Sequence, residues 1–180
     1  RNGLITEVDK YMWEAACKQL RKWQDAGKKD LYISVNISPK DFYFVDVYQS
    51  FVDLLEKYKI QPKSLKLEIT ESALMMDFER HRELINKLRA LGFVVEMDDF
   101  GSAYSSLNML KDIEVDVLKL DMAFLRQSQN TERGQAILQM IVGLAKRLGI
   151  PVISEGVETV DQVTILKENN CYNAVNNHCN

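Results

Sequence analysis

The chain has 180 residues, 46% hydrophobic and 27% charged, the balance of an ordinary globular protein. That length allows one domain with a sizeable core and argues against two. With 23 basic and 26 acidic side chains the net charge is −3, which excludes a general pull toward nucleic-acid polymers or an anionic membrane.

The first predicted element is a helix over Glu7 to Ala26, where Val8, Met12, Ala15, Ala16, Leu20 and Trp23 recur at a helical period. Thr6 followed by Asp9 resembles a capping box with Asp in place of Glu, and Gly27 supplies the stop. A β-rich run, Leu31 to Ile37, comes next, and a helix over Val45 to Lys59 ends at Ile60-Gln61-Pro62. A strand over Leu65 to Ile69 precedes a helix over Phe78 to Leu91, closed by Gly92. The third strand covers Phe93 to Met97 and the fourth Val115 to Leu120; between them Ser102 to Ser106 reads as a polar loop opening a helix with Leu107 and Leu110. A long helix spans Glu132 to Leu148 and stops at Gly149. The fifth strand, Pro151 to Ser154, leads to a last helix over Val160 to Glu168.

Strands alternating with helical segments predict an α/β fold, a parallel sheet built from βαβ units. There is no Gly-rich phosphate loop of the dinucleotide or P-loop kind, no short repeat and no low-complexity linker. Periodicity leaves a doubly wound sheet and a barrel both open. Cys17, Cys171 and Cys179 are an odd set without metal-ligand spacing, which predicts free thiols in a reducing compartment. No apolar run approaches the roughly 18 residues that span a bilayer. Residues Arg1 to Thr6 lack signal-peptide organisation. The expected location is the cytoplasm.

The chemistry lies at the strand ends. The first strand ends in Val35-Asn36-Ile37-Ser38 and the second in Leu67-Glu68-Ile69-Thr70-Glu71. The third ends in Asp98-Asp99, the fourth in Lys119-Leu120-Asp121 and the fifth in Glu155-Gly156-Val157-Glu158. In a barrel these edges converge on one mouth, whereas an open sheet spreads them along a line, so the pattern favours the barrel. Each residue also has an ordinary explanation. Asp-Asp after a strand caps helices, Asn36 can bond turn backbone, Lys119 and Asp121 can form a structural ion pair, and Glu155 can face solvent. Glu68 inside an apolar strand needs a cation, either a metal or an Arg. Together the Asn, the Glu residues and the Asp pair make an oxygen-rich set suited to Mg²⁺ or Mn²⁺. Two histidines, His81 and His178, are too few for a zinc cluster of histidines. Ser102 to Ser106 lacks a nearby His or a nucleophile elbow, which argues against a serine hydrolase.

In order and spacing, Val35-Asn36-Ile37-Ser38, Glu68-Ile69-Thr70-Glu71, Asp98-Asp99-Phe100-Gly101, Lys119-Leu120-Asp121 and Glu155-Gly156-Val157-Glu158-Thr159 resemble the EAL domain, the bacterial phosphodiesterase domain for cyclic di-GMP. The likeness runs from about Leu4 to about Glu168. It implies a TIM-type (β/α)₈ barrel that linearises cyclic di-GMP to pGpG with two divalent cations, Mg²⁺ or Mn²⁺. By motif it implies Asn36, Glu68 and Asp98 as ligands of the first metal, with Asp98 bridging to the second and Asp99 on the second-metal side. Lys119 corresponds to the lysine that positions water and phosphate, Glu155 to the general base, and Asp121 and Glu158 to supporting acids. Glu71 corresponds to the anchor of the loop after Asp98-Asp99. Implied partners are cyclic di-GMP, a second copy in a homodimer, and regulatory or GGDEF-type neighbouring domains.

The sequence departs from the family pattern in three places. The Glu-Ala-Leu signature belongs upstream of the first helix, the closing Gln-Gly pair is not found in residues 170–180, and Ala103 stands where the family has a second Gly. Barrels of this type take about 250 residues. The expectation is therefore an EAL-type domain over residues 1–169 that lacks its first and last strands, with 170–180 as an atypical tail. Such a chain is expected to hydrolyse cyclic di-GMP poorly or not at all on its own. The rival expectation, from another class, is a non-catalytic EAL module that binds cyclic di-GMP or a protein partner. Retention of Asn36, Glu68, Asp98, Asp99, Lys119 and Glu155 favours the enzyme, since binding alone does not need every ligand and the base.

Overall fold

The computed structural model describes residues 3–101, 106–121, 131–155 and 173–175. They fall into two compact units. The first comprises Arg1–Glu96 with Asp112–Glu114, and the second Met97–Lys111 with Val115–Asn180.

In the first unit, α1 (Gly3–Asp25) buries Thr6, Trp13, Ala16, Cys17, Leu20 and Gln24, a single stripe at helical spacing. The helix starts a turn earlier than its apolar period predicts. Thr6 and Asp9 are therefore inside it, and the expected capping box is not formed. β1 (Ile33–Asn36) pairs in parallel with β2 (Leu65–Thr70) in the register Ile33↔Leu65 to Asn36↔Glu68. β2 alternates strictly: Leu65, Leu67 and Ile69 are fully buried, while Lys66, Glu68 and Thr70 are half-buried. Two short helices have no sequence signal: α2 (Asp41–Phe44), which follows β1 after a turn, and α4 (Glu71–Met75), which follows β2 directly. α3 (Val47–Tyr58) is capped by Asp46, whose carboxylate accepts the Gln49 N–H at 2.9 Å. α5 (Phe78–Ala90) stops before Gly92, whose φ of 96° is the left-handed conformation that ends helices.

The core of this unit is aromatic at its centre. Trp13 stacks on Phe51 with ring centroids 4.8 Å apart, and Phe51 meets Phe93 at 5.4 Å. Cys17 lies beside them, fully buried, and burial followed by the Glu14 charge pushes its thiol up to about 12. Since the thiolate is the nucleophile, Cys17 should resist iodoacetamide at pH 8 in the folded protein and react once guanidinium unfolds it. Peptide mass mapping would detect the contrary result, rapid native labelling.

The second unit contains the end of β3 (Val94–Phe100), α6 (Ser106–Asp112) up to Lys111, β4 (Val117–Leu120), α7 (Glu132–Leu148), β5 (Val152–Glu155) and β6 (Asn173–Val175). Its strand order is β3-β4-β5-β6, with β4, β5 and β6 parallel. All four residues of β4 are buried. Thr131 caps α7 by accepting the Gly134 N–H at 3.0 Å, and Gly149 closes it with φ 73°. β6 lies in the segment expected as an atypical tail. Its three residues, Asn-Ala-Val, carry no strand periodicity, so pairing with β5 is what defines it. The expected helix over Val160 to Glu168 lies outside the described residues. Parallel strands alternating with helices give the α/β class read from the sequence. Among the described residues, no helix is long and apolar enough to cross a membrane.

Candidate active site

Asn36 and Glu68 occupy the C-terminal ends of two adjacent strands and are Cα partners in the β1–β2 register. Asn36 is exposed and Glu68 half-buried. The ladder continues past them, with the Ile37 N–H donating to the Glu68 carbonyl at 2.9 Å. From the other side, the Trp13 indole N–H donates to the Asn36 carbonyl, also at 2.9 Å. After Asn36 the chain turns at Ser38, whose N–H and hydroxyl both donate to the Asp41 carboxylate at 2.8 Å. Burial, with a further contribution from Asp9, raises the Asp41 carboxyl, while the Ser38 bonds oppose the shift. Glu71 is fully buried at the first position of α4, three residues beyond Glu68.

A polar layer runs beneath Asn36 and Glu68. Glu96 is buried, with one oxygen 2.8 Å from the Lys66 ammonium and the other accepting the Ser34 hydroxyl at 3.2 Å. The ammonium also sits 3.8 Å from the centre of the Tyr32 ring. Ser34 and Lys66 are strand partners, each two residues before Asn36 and Glu68, so they share the face of those candidate ligands one step lower. The carboxylate, ammonium and hydroxyl cross-link β1, β2 and β3 at one level. These residues escaped the sequence reading, which looked only at strand ends. The period-two recurrence of polar residues at 34/36, 66/68 and 96/98 is the signal that exposes them.

In the second unit, Asp98 and Asp99 are still within β3, which runs to Phe100 instead of ending at Met97. Asp98 is half-buried and 3.6 Å from the buried Lys119 ammonium. Asp99 is exposed and has φ 55°, a left-handed conformation that non-glycine residues adopt at a cost of about 1–2 kcal/mol. Its N–H donates to the Asp98 carboxylate at 2.9 Å, which turns that carboxylate back on its own strand. Strain of this kind gathers at functional sites. Asp121 follows β4 and donates its N–H to the Phe100 carbonyl at 3.2 Å. Leu120 pairs with Ser154, so Asp121 and Glu155 are the next residues of two neighbouring strands. Glu158, Ala103 and the segments around them lie outside the described residues.

Among the described residues, no three His, Cys, Asp or Glu side chains converge to hold a metal ion. The candidates stand in pairs instead: Asn36 with Glu68, and Asp98 with Asp99. Their donors are hard oxygens with no imidazole or thiolate among them, the chemistry that Mg²⁺ and Mn²⁺ favour. The residues present therefore fit a hard divalent cation by chemistry. A cleft of about 770 Å³ lies elsewhere in the first unit, on its helical side between Phe42, Phe44, Arg80 and Lys87. It contains none of the candidate residues.

A family model described as the EAL domain matches residues 1–174. The bifunctional diguanylate cyclase/cyclic di-GMP phosphodiesterase MucR of Pseudomonas aeruginosa is 34% identical over 171 residues, 95% of this chain and 25% of that protein. The cyclic di-GMP phosphodiesterase NbdA of the same organism is 35% identical over 170 residues, 94% of this chain and 22% of that protein. The chain thus spans a quarter or less of the length of these curated relatives. Among solved structures, the MucR phosphodiesterase in complex with c-di-GMP superposes with a TM-score of 0.88 at 33% identity, covering 97% of this chain and 70% of that one.

Proposed function

The chain belongs to the EAL domain family, whose fold is a TIM-type barrel and whose phosphodiesterases are in general metal-dependent, and we propose on that footing that it is a cyclic di-GMP phosphodiesterase domain yielding the linear dinucleotide pGpG, with weak turnover when these 180 residues act alone. The observation that carries this reading is the family match over nearly the whole chain, together with oxygen donors paired at strand ends.

In the proposal, Asn36, Glu68, Asp98 and Asp99, the positions that match the family's metal-ligand motifs, would hold Mg²⁺ or Mn²⁺. When bound, such ions neutralise the phosphodiester and make hydroxide available near neutral pH. Lys119 places a positive charge beside Asp98 and orients the phosphate and the attacking water. Glu155 accepts the proton of that water, with Asp121 and Glu158 as supporting acids. Glu71, buried in the first turn after β2, anchors the loop that follows Asp98-Asp99. A diguanylate cyclase neighbour of the GGDEF type, a homodimer and a cytoplasmic setting complete the proposal. The first of these takes its support from the bifunctional name of MucR.

The test is chromatographic separation of cyclic di-GMP from pGpG after incubation with Mg²⁺ or Mn²⁺. Formation of pGpG supports the enzyme. Binding of cyclic di-GMP without turnover selects the non-catalytic module, and neither binding nor turnover defeats both.

A further inference from the structure

Trp13 is 1% exposed in the middle of α1, its ring stacked on Phe51. Filling that space asks only for a large apolar side chain. The indole does more, because its N–H reaches the main-chain carbonyl of Asn36 at 2.9 Å. The direction of that carbonyl follows from the strand. Ile37 donates its N–H to Glu68, so it turns its polar groups toward β2, and the preceding Asn36 turns its own away. A backbone group on that side must find its partner outside the β1–β2 pair. Trp13 supplies the partner.

We propose that Trp13 is a positioning residue for Asn36. By holding the carbonyl, the indole sets the orientation of the Asn36 peptide, and so the direction in which the side-chain amide leaves the strand beside Glu68. A cation shared by Asn36 and Glu68 needs both donors aimed together, and a strand end is where the backbone otherwise frays. The inference rests on the reading of Asn36 as a metal ligand.

The chain has two tryptophans, so Trp23→Phe leaves Trp13 as the single fluorophore and serves as the parent. In that parent Trp13 is replaced by phenylalanine (Trp13→Phe) or by benzothienylalanine, which keeps the indole shape without the N–H. The second replacement preserves the packing on Phe51 should the first fail to fold. Three readouts are taken: Ile37 amide exchange, Mn²⁺ binding by calorimetry, and Trp13 emission of the parent during the Mn²⁺ titration. The expected result is Ile37 exchange and the Mn²⁺ dissociation constant each rising about three- to tenfold, the worth of one hydrogen bond. Parent emission should be quenched with the calorimetric affinity.

Unchanged exchange in both variants overturns the inference. Faster exchange with unchanged Mn²⁺ affinity also overturns it, since Trp13 is then structural only. A parent that binds no Mn²⁺ overturns the reading of Asn36 as a ligand. The parent titration alone tells that failure apart from the other two.

Discussion

Glu68→Gln should lower the slow turnover of cyclic di-GMP expected of this chain by about a thousandfold, close to 4 kcal/mol of transition-state stabilisation. Glutamine keeps the length and one oxygen of the side chain but removes its charge. A hard divalent cation held by carboxylates loses affinity when one becomes an amide, and the phosphodiester then keeps more of its repulsion toward hydroxide. Glu68 is half-buried and sits between Leu67 and Ile69, which are buried on the opposite face, so the strand itself tolerates the change. The melting temperature should therefore move by only a few degrees. Steady-state kinetics over a Mg²⁺ or Mn²⁺ titration would separate the effects. Recovery of wild-type kcat at saturating metal would confine Glu68 to metal affinity, and an unaltered enzyme at every metal concentration would remove it from the site.

Lys66→Met should be among the most destabilising single changes in the first unit. The pair it breaks is buried on both sides, with 14% of the Lys66 side chain and 3% of the Glu96 side chain exposed. Removing one partner of such a pair costs about 3–5 kcal/mol, because the remaining charge has lost its water without keeping its counter-ion. The Ser34 hydroxyl still donates to Glu96, which places the expected loss at about 3 kcal/mol. For a chain of this size that is a fall of about 6–12 °C in the melting temperature. The double variant Lys66→Met/Glu96→Gln removes the stranded charge and should recover most of it. Circular dichroism melts of the three proteins decide the matter. A double variant as unstable as Lys66→Met would mean that packing around the lysine stem, and not the charge on Glu96, carries the effect.

Most elements were legible because their signals are local. α3, α5 and α7 follow a 3.6-residue apolar period and stop near residues of positive φ, Lys59, Gly92 and Gly149. β2 is read from Leu-x-Leu-x-Ile alternation. Legibility failed where a neighbour in space supplied the reason for a structure. α2 and α4 are each too short to show a period. β6 exists through its pairing with β5. β3 passes through Asp98 and Asp99, beyond its expected end at Met97, with Lys119 facing the first and a left-handed backbone at the second.

The same division holds for the candidate site. The sequence by itself determined which residues are candidates for the chemistry: oxygen donors recur at the strand ends, a lysine lies within β4, and strand alternation places them without reference to any partner. The tertiary structure alone decided what stands behind them. Trp13 is 23 residues from Asn36 in the chain, and Lys66 is 30 from Glu96. No local pattern joins such residues, because burial makes their polar groups seek partners and only the folded chain brings those partners within reach.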